Sequence, residues 1–146
     1  MSDCIFCKIV KGEVPSAKVY EDEHSFAFLD IMPAVKGHTL VIPKTHYEAF
    51  LDIPKLKLQA LISAVQKVTK AVVKSTGSAG YKIEMFNGEI AGQGVFHAHF
   101  HIIPRDKNDS IEFRADKNWW VQKKDLYKEG EKEEYAEKIK KRLEAV

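Results

Sequence analysis

An antiparallel α+β domain is the fold class that this sequence predicts. Three observations carry it. Five short segments are rich in β-branched and aromatic residues. One long segment between the third and fourth of them repeats its apolar residues at helical spacing. Neither a strand–helix–strand alternation nor a phosphate loop of the Gly-x-x-x-x-Gly-Lys type occurs.

The elements follow in order. Residues 1–16 read as short turns around Gly12 and Pro15. Residues 18–20 and Ser25–Leu29 form a predicted strand pair, joined by the polar turn Glu21-Asp22-Glu23-His24. Residues 30–37 are a loop punctuated by Pro33 and Gly37. Residues 38–42 are an apolar strand ended by Pro43. The spacing of Leu58, Leu61, Ile62, Val65, Val68 and Val72 predicts a helix over 52–74. Asp52 is its expected N-cap, Pro54 suits the first turn and Gly77 the stop. Residues 81–86 alternate in polarity as a strand does, and 95–103 form the fifth strand. Residues 131–145 predict a second, C-terminal helix, with Tyr135, Ile139 and Leu143 on one stripe and opposite charges four apart.

Composition excludes several classes. A chain of 146 residues, 45% hydrophobic and 30% charged, is one domain able to bury a core without staples. A net charge of +2 argues against duplex nucleic acid as a partner. The N-terminus has no apolar signal core, and no run approaches the ~18 apolar residues of a membrane span. A cytoplasmic protein is the expectation. Trp119 and Trp120 stand beyond the last strand, either as interface anchors or as packing for the tail.

Half of the six histidines lie in His97-Ala98-His99-Phe100-His101. Alternate side chains of a strand share a face, so the three imidazoles line up about 6.5–7 Å apart. Ala98, Phe100 and Ile102 then point into the core. One buried histidine is usually a satisfied core residue. Three in a row are costly to bury without partners and point to a nucleophilic, acid–base or metal site. Directly upstream, residues 87–95 hold three glycines, Gly88, Gly92 and Gly94, between Asn87 and Val95. Such a loop lets backbone N–H groups approach an anion closely, and Asn87 and Gln93 add neutral donors. By itself it is equally a plain connection between strands. Cys4-x-x-Cys7 is the whole cysteine content, either a thiol pair or half of a zinc site needing two further ligands.

The run His-Ala-His-Phe-His-Ile-Ile resembles His-φ-His-φ-His-φ-φ, with φ apolar, the signature of the histidine triad nucleotide-binding (HIT) family. The likeness extends to residues 4–9, to 26–33, to 37–46 and to 87–105, and the CxxC start resembles prokaryotic members of the Hint branch. It implies a HIT-like five-stranded antiparallel sheet over residues 1–106. Residues 107–146 are then an extension packed on the domain or on a dimer partner. It also implies an enzyme in which His99 attacks the α-phosphate of a purine nucleotide conjugate. His101 and His38 contact the phosphate or bridging atom and move protons. The His97 carbonyl sets the His99 tautomer. Gln93, Gly92, Gly94 and Val95 stabilise phosphoryl oxygens, Asn87 contacts phosphate or ribose, and Asp30 takes the ribose hydroxyls. Ile5, Phe6, Ile9, Phe28 and Leu40 match the base pocket, although each reads as plain core by itself.

The same resemblance places one structural zinc per chain on Cys4, Cys7, His46 and His97, with no catalytic metal, and implies a homodimer with a continuous sheet. One position departs from the branch. Ser usually follows the loop glutamine, and Gly94 stands there in this chain. The hydroxyl that would meet the phosphate or the leaving nitrogen is lost, leaving that proton to His101 or water. Nucleoside phosphoramidates and dinucleoside polyphosphates are the two substrate classes to separate. Two other readings stay open: a metallohydrolase holding zinc on His99 and His101, and a zinc-containing nucleotide-binding module with little turnover.

Overall fold

The structure, a computed structural model, describes residues 3–109, 111–114 and 119–144. A five-stranded sheet runs in the order β1-β2-β3-β5-β4, with every neighbouring pair antiparallel. Its strands are β1 (Lys18–Glu21), β2 (Ser25–Leu29), β3 (Thr39–Pro43), β4 (Gly80–Glu84) and β5 (Phe100–Arg105). The helices are α1 (Ile5–Val10), α2 (Lys55–Thr76) and α3 (Glu131–Glu144), and β6 (Phe113–Arg114) pairs with β7 (Trp119–Trp120) as a separate ribbon.

Every residue of β2 and β3 is buried, because both faces of the sheet are covered. Alternation sorts them. Ala27, Leu29 and Val41 meet Leu61, Val65, Val68 and Val72 of α2, joined by Ala136 and Ile139 of α3. Phe26, Phe28, Leu40 and Ile42 meet Phe6 and Ile9 of α1 on the opposite face. The C-terminal helix therefore packs on its own domain, with Ile139 wholly buried.

Four boundaries differ from expectation, each for a local reason. The N-terminus contains α1 where turns were expected. Six residues are too few to show a helical period, and only Phe6 and Ile9, three apart, bury their side chains. Pro54, rather than Asp52, caps α2. A residue before proline is pushed to extended backbone, and Ile53 sits at φ −82°, ψ 122°. Asp52 instead closes a 3₁₀ turn, accepting the Ala49 N–H at 3.0 Å. The helix does stop at Gly77, in the left-handed conformation with φ 67°. The histidine strand begins at Phe100 rather than residue 95. Its ladder with β3 ends at the Val41–Phe100 pair, and upstream the Ala98 N–H turns to the Tyr47 carbonyl at 2.7 Å. His38 likewise stands just outside its strand, which opens at Thr39.

Candidate active site and metal centre

Register aligns the site. Phe28, Leu40, His101 and Glu84 are successive cross-strand partners, so they form one row across the face that α1 covers. Ala98, Phe100 and Ile102 all enter the core of the opposite face, as the alternation predicts. His97 and His99 precede the ladder but keep the open face: the ring of Phe6 packs edge-on against both, at 5.8 and 5.0 Å between centroids.

Hydrogen-bond partners assign each imidazole its tautomer. His99 Nδ1–H donates to the His97 carbonyl at 2.7 Å, which leaves Nε2 as its lone-pair nitrogen. The Ala34 N–H donates to His38 Nδ1 at 3.0 Å, so neutral His38 carries its proton on Nε2. That proton is donated to His101 Nδ1 at 2.9 Å, and His101 then keeps its own proton on Nε2. Burial holds His99 below its ordinary value, and burial with the neighbouring His38 and His99 holds His101 well below. Burial takes His38 down to about 3 and pushes Asp30 up to about 6. All three imidazoles are neutral at pH 7. Neutral His99 thus keeps a lone pair on Nε2 and neutral His101 an N–H on Nε2, and both residues line the cleft.

A cavity of about 550 Å³ opens over this row, lined by Phe6, Leu40, Asp30, His99, His101 and Gly94, among others. Asp30 Oδ1 accepts the Met32 N–H at 3.0 Å, and its Oδ2 lies 3.4 Å from His38 Nε2. Gly92 and Val95 also line the cavity. Gln93 does not. Its carboxamide is spent inside the loop: Nε2 donates to the Glu48 and Val95 carbonyls at 2.7 and 3.0 Å, and Oε1 accepts the Gly88 N–H at 2.8 Å. Asn87 is likewise a brace, with Oδ1 accepting the Phe50 N–H at 2.8 Å. Ile9 and Phe28 lie fully buried behind Phe6, and Ile5 is partly exposed away from the lining. Ile31, Met32 and Gln122 line the cavity without having been expected there. Ile31 and Met32 follow Asp30 directly, so their neighbourhood was a readable signal.

The buried imidazoles make stability depend on pH. Unfolded, His38 titrates near its ordinary 6.5; folded, it titrates near 3. Below pH 6.5 the unfolded chain therefore binds more protons, and stability falls as pH falls. His99 and His101 shift in the same direction. Asp30 opposes them between its ordinary 3.8 and about 6, where the folded chain holds the extra proton, but it is one group against three. Urea unfolding at pH 7 and pH 5 should show stability lower at pH 5, with His38 alone contributing about 2 kcal/mol of the loss. A His38→Asn variant with an unchanged slope would contradict this.

At the edge of the same face, Cys4, Cys7, His46 and His97 bring one donor atom each to within 4.8 Å of the others. Cys4 Sγ lies 3.4 Å from His97 Nδ1, and Cys7 Sγ lies 3.4 Å from His46 Nδ1 and 3.6 Å from His97 Nδ1. Zinc–sulfur and zinc–nitrogen bonds of ordinary length at tetrahedral angles require S···N edges of about 3.6 Å. His97 Nε2–H donates to the Pro43 carbonyl at 2.8 Å, which leaves Nδ1 unprotonated toward the thiols. The donor set fits tetrahedral zinc. A second cluster, Asp30, His38 and His101, is equally tight. It does not fit a cation, because the Ala34 N–H holds the His38 proton on the nitrogen that faces the cluster.

Sheet order, cleft and aligned imidazoles together define a domain of the histidine triad class. The HIT domain family model matches residues 11–108, and the chain belongs to the HIT family. It is 46% identical over 142 residues to the protein hit of Bacillus subtilis, covering 97% of this chain and 94% of that one. It is 46% identical over 106 residues to the adenosine 5'-monophosphoramidase of Schizosaccharomyces pombe, covering 73% and 77%. A zinc-bound histidine triad family protein from Mycobacterium smegmatis superposes with a TM-score of 0.81 at 33% identity, covering 99% of this chain and 95% of that one.

Proposed function

We propose that this chain is a hydrolase or nucleotidyl transferase. Its substrate is a purine nucleoside phosphoramidate or a related nucleotide conjugate, and it acts through a covalent nucleotidyl-His99. The observation that carries the reading is the 2.7 Å bond from His99 Nδ1–H to the His97 carbonyl, which turns the Nε2 lone pair to nucleophilic use in a buried cleft. The naming of relatives as adenosine 5'-monophosphoramidases supports the substrate class.

The steps balance on this chain's residues and water. His99 Nε2 attacks the α-phosphorus, forming a P–N bond to the imidazole while the bond to the leaving amine breaks. Water gives a proton to the departing nitrogen, which leaves as the amine, while the neutral His101 Nε2–H hydrogen-bonds to it. The hydroxide left from that water attacks phosphorus, the P–N bond to His99 breaks, and the nucleoside monophosphate is released. Asp30, when ionised, accepts from the two ribose hydroxyls, and Phe6 and Leu40 pack on the base. The backbone N–H groups of Gly94 and Val95 serve the phosphoryl oxygens, since those of Gly92 and Gln93 donate to the Glu89 and Gly88 carbonyls at 3.0 Å each. Gln93 and Asn87 hold that segment in place.

Cys4, Cys7, His46 and His97 hold one structural zinc per chain in this reading. Bound there, zinc would tie the start of α1 to the segment that carries the nucleophile. A homodimer is part of the proposal. β4 is an edge strand, and beside it Ile62, Tyr81 and Ile83 are 45%, 53% and 44% exposed over a groove floored by Val65 and Phe100. Pairing of two such edges covers them and continues the sheet. A sedimentation mass of one chain would sink the dimer. Among the described residues no helix is long and apolar enough to cross a membrane, and a cytoplasmic location belongs to the same reading.

The substrate test compares AMP release from adenosine phosphoramidate and from a diadenosine polyphosphate at equal concentration. Faster release from the phosphoramidate is expected, because the His101 N–H can hydrogen-bond to the departing nitrogen. Faster release from the polyphosphate moves the chain to the other substrate class. Tight AMP binding with no release from either supports a binding module instead.

A further inference from the structure

We propose that Gln122 is a specificity residue of this site, contacting the group that leaves from the phosphate. The proposal rests on the reading of the cleft given above. Gln122 belongs to the segment after the last strand of the sheet, yet its side chain lines the cavity that holds His99 and His101.

Two anchors bracket it. On one side Trp120 Nε1–H donates to Glu84 Oε2 at 2.8 Å, and the Trp120 ring is buried against Ala34 and Ile103. The Lys82 ammonium lies 4.1 Å from that ring's centroid. On the other side the Lys123 N–H donates to the Pro33 carbonyl at 2.9 Å. Glu84 is the register partner of His101, and Ile103 stands two residues along the same strand face. Pro33 lies within the loop that begins at Asp30. Residues 120–123 therefore form a strap from the His101 row to the Asp30 loop, and Gln122 sits at the middle of it.

Gln122 thus lines the same cavity as His101, the residue that meets the leaving group in that reading. The phosphate side is lined by Gly92, Gly94 and Val95, which offer backbone only. Gln122 brings the one carboxamide among the described lining residues, and its side chain is exposed and available to a ligand. A carboxamide donates and accepts at once without charge. It fits a leaving amine larger than ammonia that carries an amide-like group next to its nitrogen.

The test uses full-length wild type and Gln122→Ala with two adenosine phosphoramidates of matched size, one N-linked to glycinamide and one to propylamine. AMP affinity is measured alongside by calorimetry. The readout is the ratio of kcat/KM for the glycinamide compound to that for the propylamine compound, which a general loss of folding does not move. Wild type is expected to favour glycinamide by about tenfold, and the variant to lose that preference. An unchanged ratio in the variant overturns the proposal alone. No AMP release by wild type from either compound overturns the reading of the site, and the proposal falls with it.

Discussion

Replacing His99 with alanine lowers AMP release from adenosine phosphoramidate by about a thousandfold or more, while AMP still binds within a few-fold of wild type. The asymmetry follows from where His99 stands. Its Nδ1 is committed to the His97 carbonyl, so its other nitrogen is its chemical contribution. In the proposed reading, ground-state affinity comes from other residues that line the cleft: Phe6 and Leu40 on the base, Asp30 on the ribose and the backbone of Gly94 and Val95 on the phosphate. Removing the nucleophile therefore removes the reaction path and spares binding. Steady-state AMP release and calorimetry on the same preparation check both halves. A variant that keeps its turnover would sink His99 as nucleophile and bring back a metal-activated water.

Removing the zinc site has the second large effect. Cys4→Ser with Cys7→Ser is expected to abolish bound zinc, from one ion per chain to none, and to lower the thermal midpoint by about 10 °C. Nucleotide affinity falls with it. The reason is the geometry of the N-terminus. Cys4 precedes α1 and its sulfur accepts the Cys7 N–H at 3.4 Å, so both thiols start the helix that carries Phe6. Phe6 packs on His97 and His99 and lines the cavity. Letting go of the thiols frees a wall of the cleft. Metal analysis and thermal melts with and without chelator check this. Purified protein that carries no zinc and melts at the same temperature in chelator would contradict it.

Periodicity made much of this molecule legible. The apolar, β-rich runs at 25–29 and 38–42 were readable as strands and the 3.6-residue stripe of α2 as helix, whereas the division of those runs between two faces was not, since both faces are apolar. The row of histidines was readable because period two puts alternate residues on one face. What escaped depends on partners distant in sequence. α1 is held by its contacts with Phe26, Phe28 and Leu40, not by a pattern of its own. Gln93 reads as a phosphate donor until Glu48, Val95 and Gly88 are seen to use its carboxamide. Trp120 was undecided between interface and tail packing; its ring lies on Ile103 and its indole N–H on Glu84, while the Trp119 side chain lies outside the described residues. Gln122 reaches the cleft through those same long-range anchors, which no local signal announces.

The most direct measurement is intact-protein mass spectrometry within milliseconds of mixing with adenosine phosphoramidate, on wild type and His99→Ala side by side. The account predicts a transient adenylyl adduct on wild type that decays as AMP appears, and none on the variant. AMP release at full rate with no adduct on wild type, and persisting in the variant, would contradict covalent catalysis by His99.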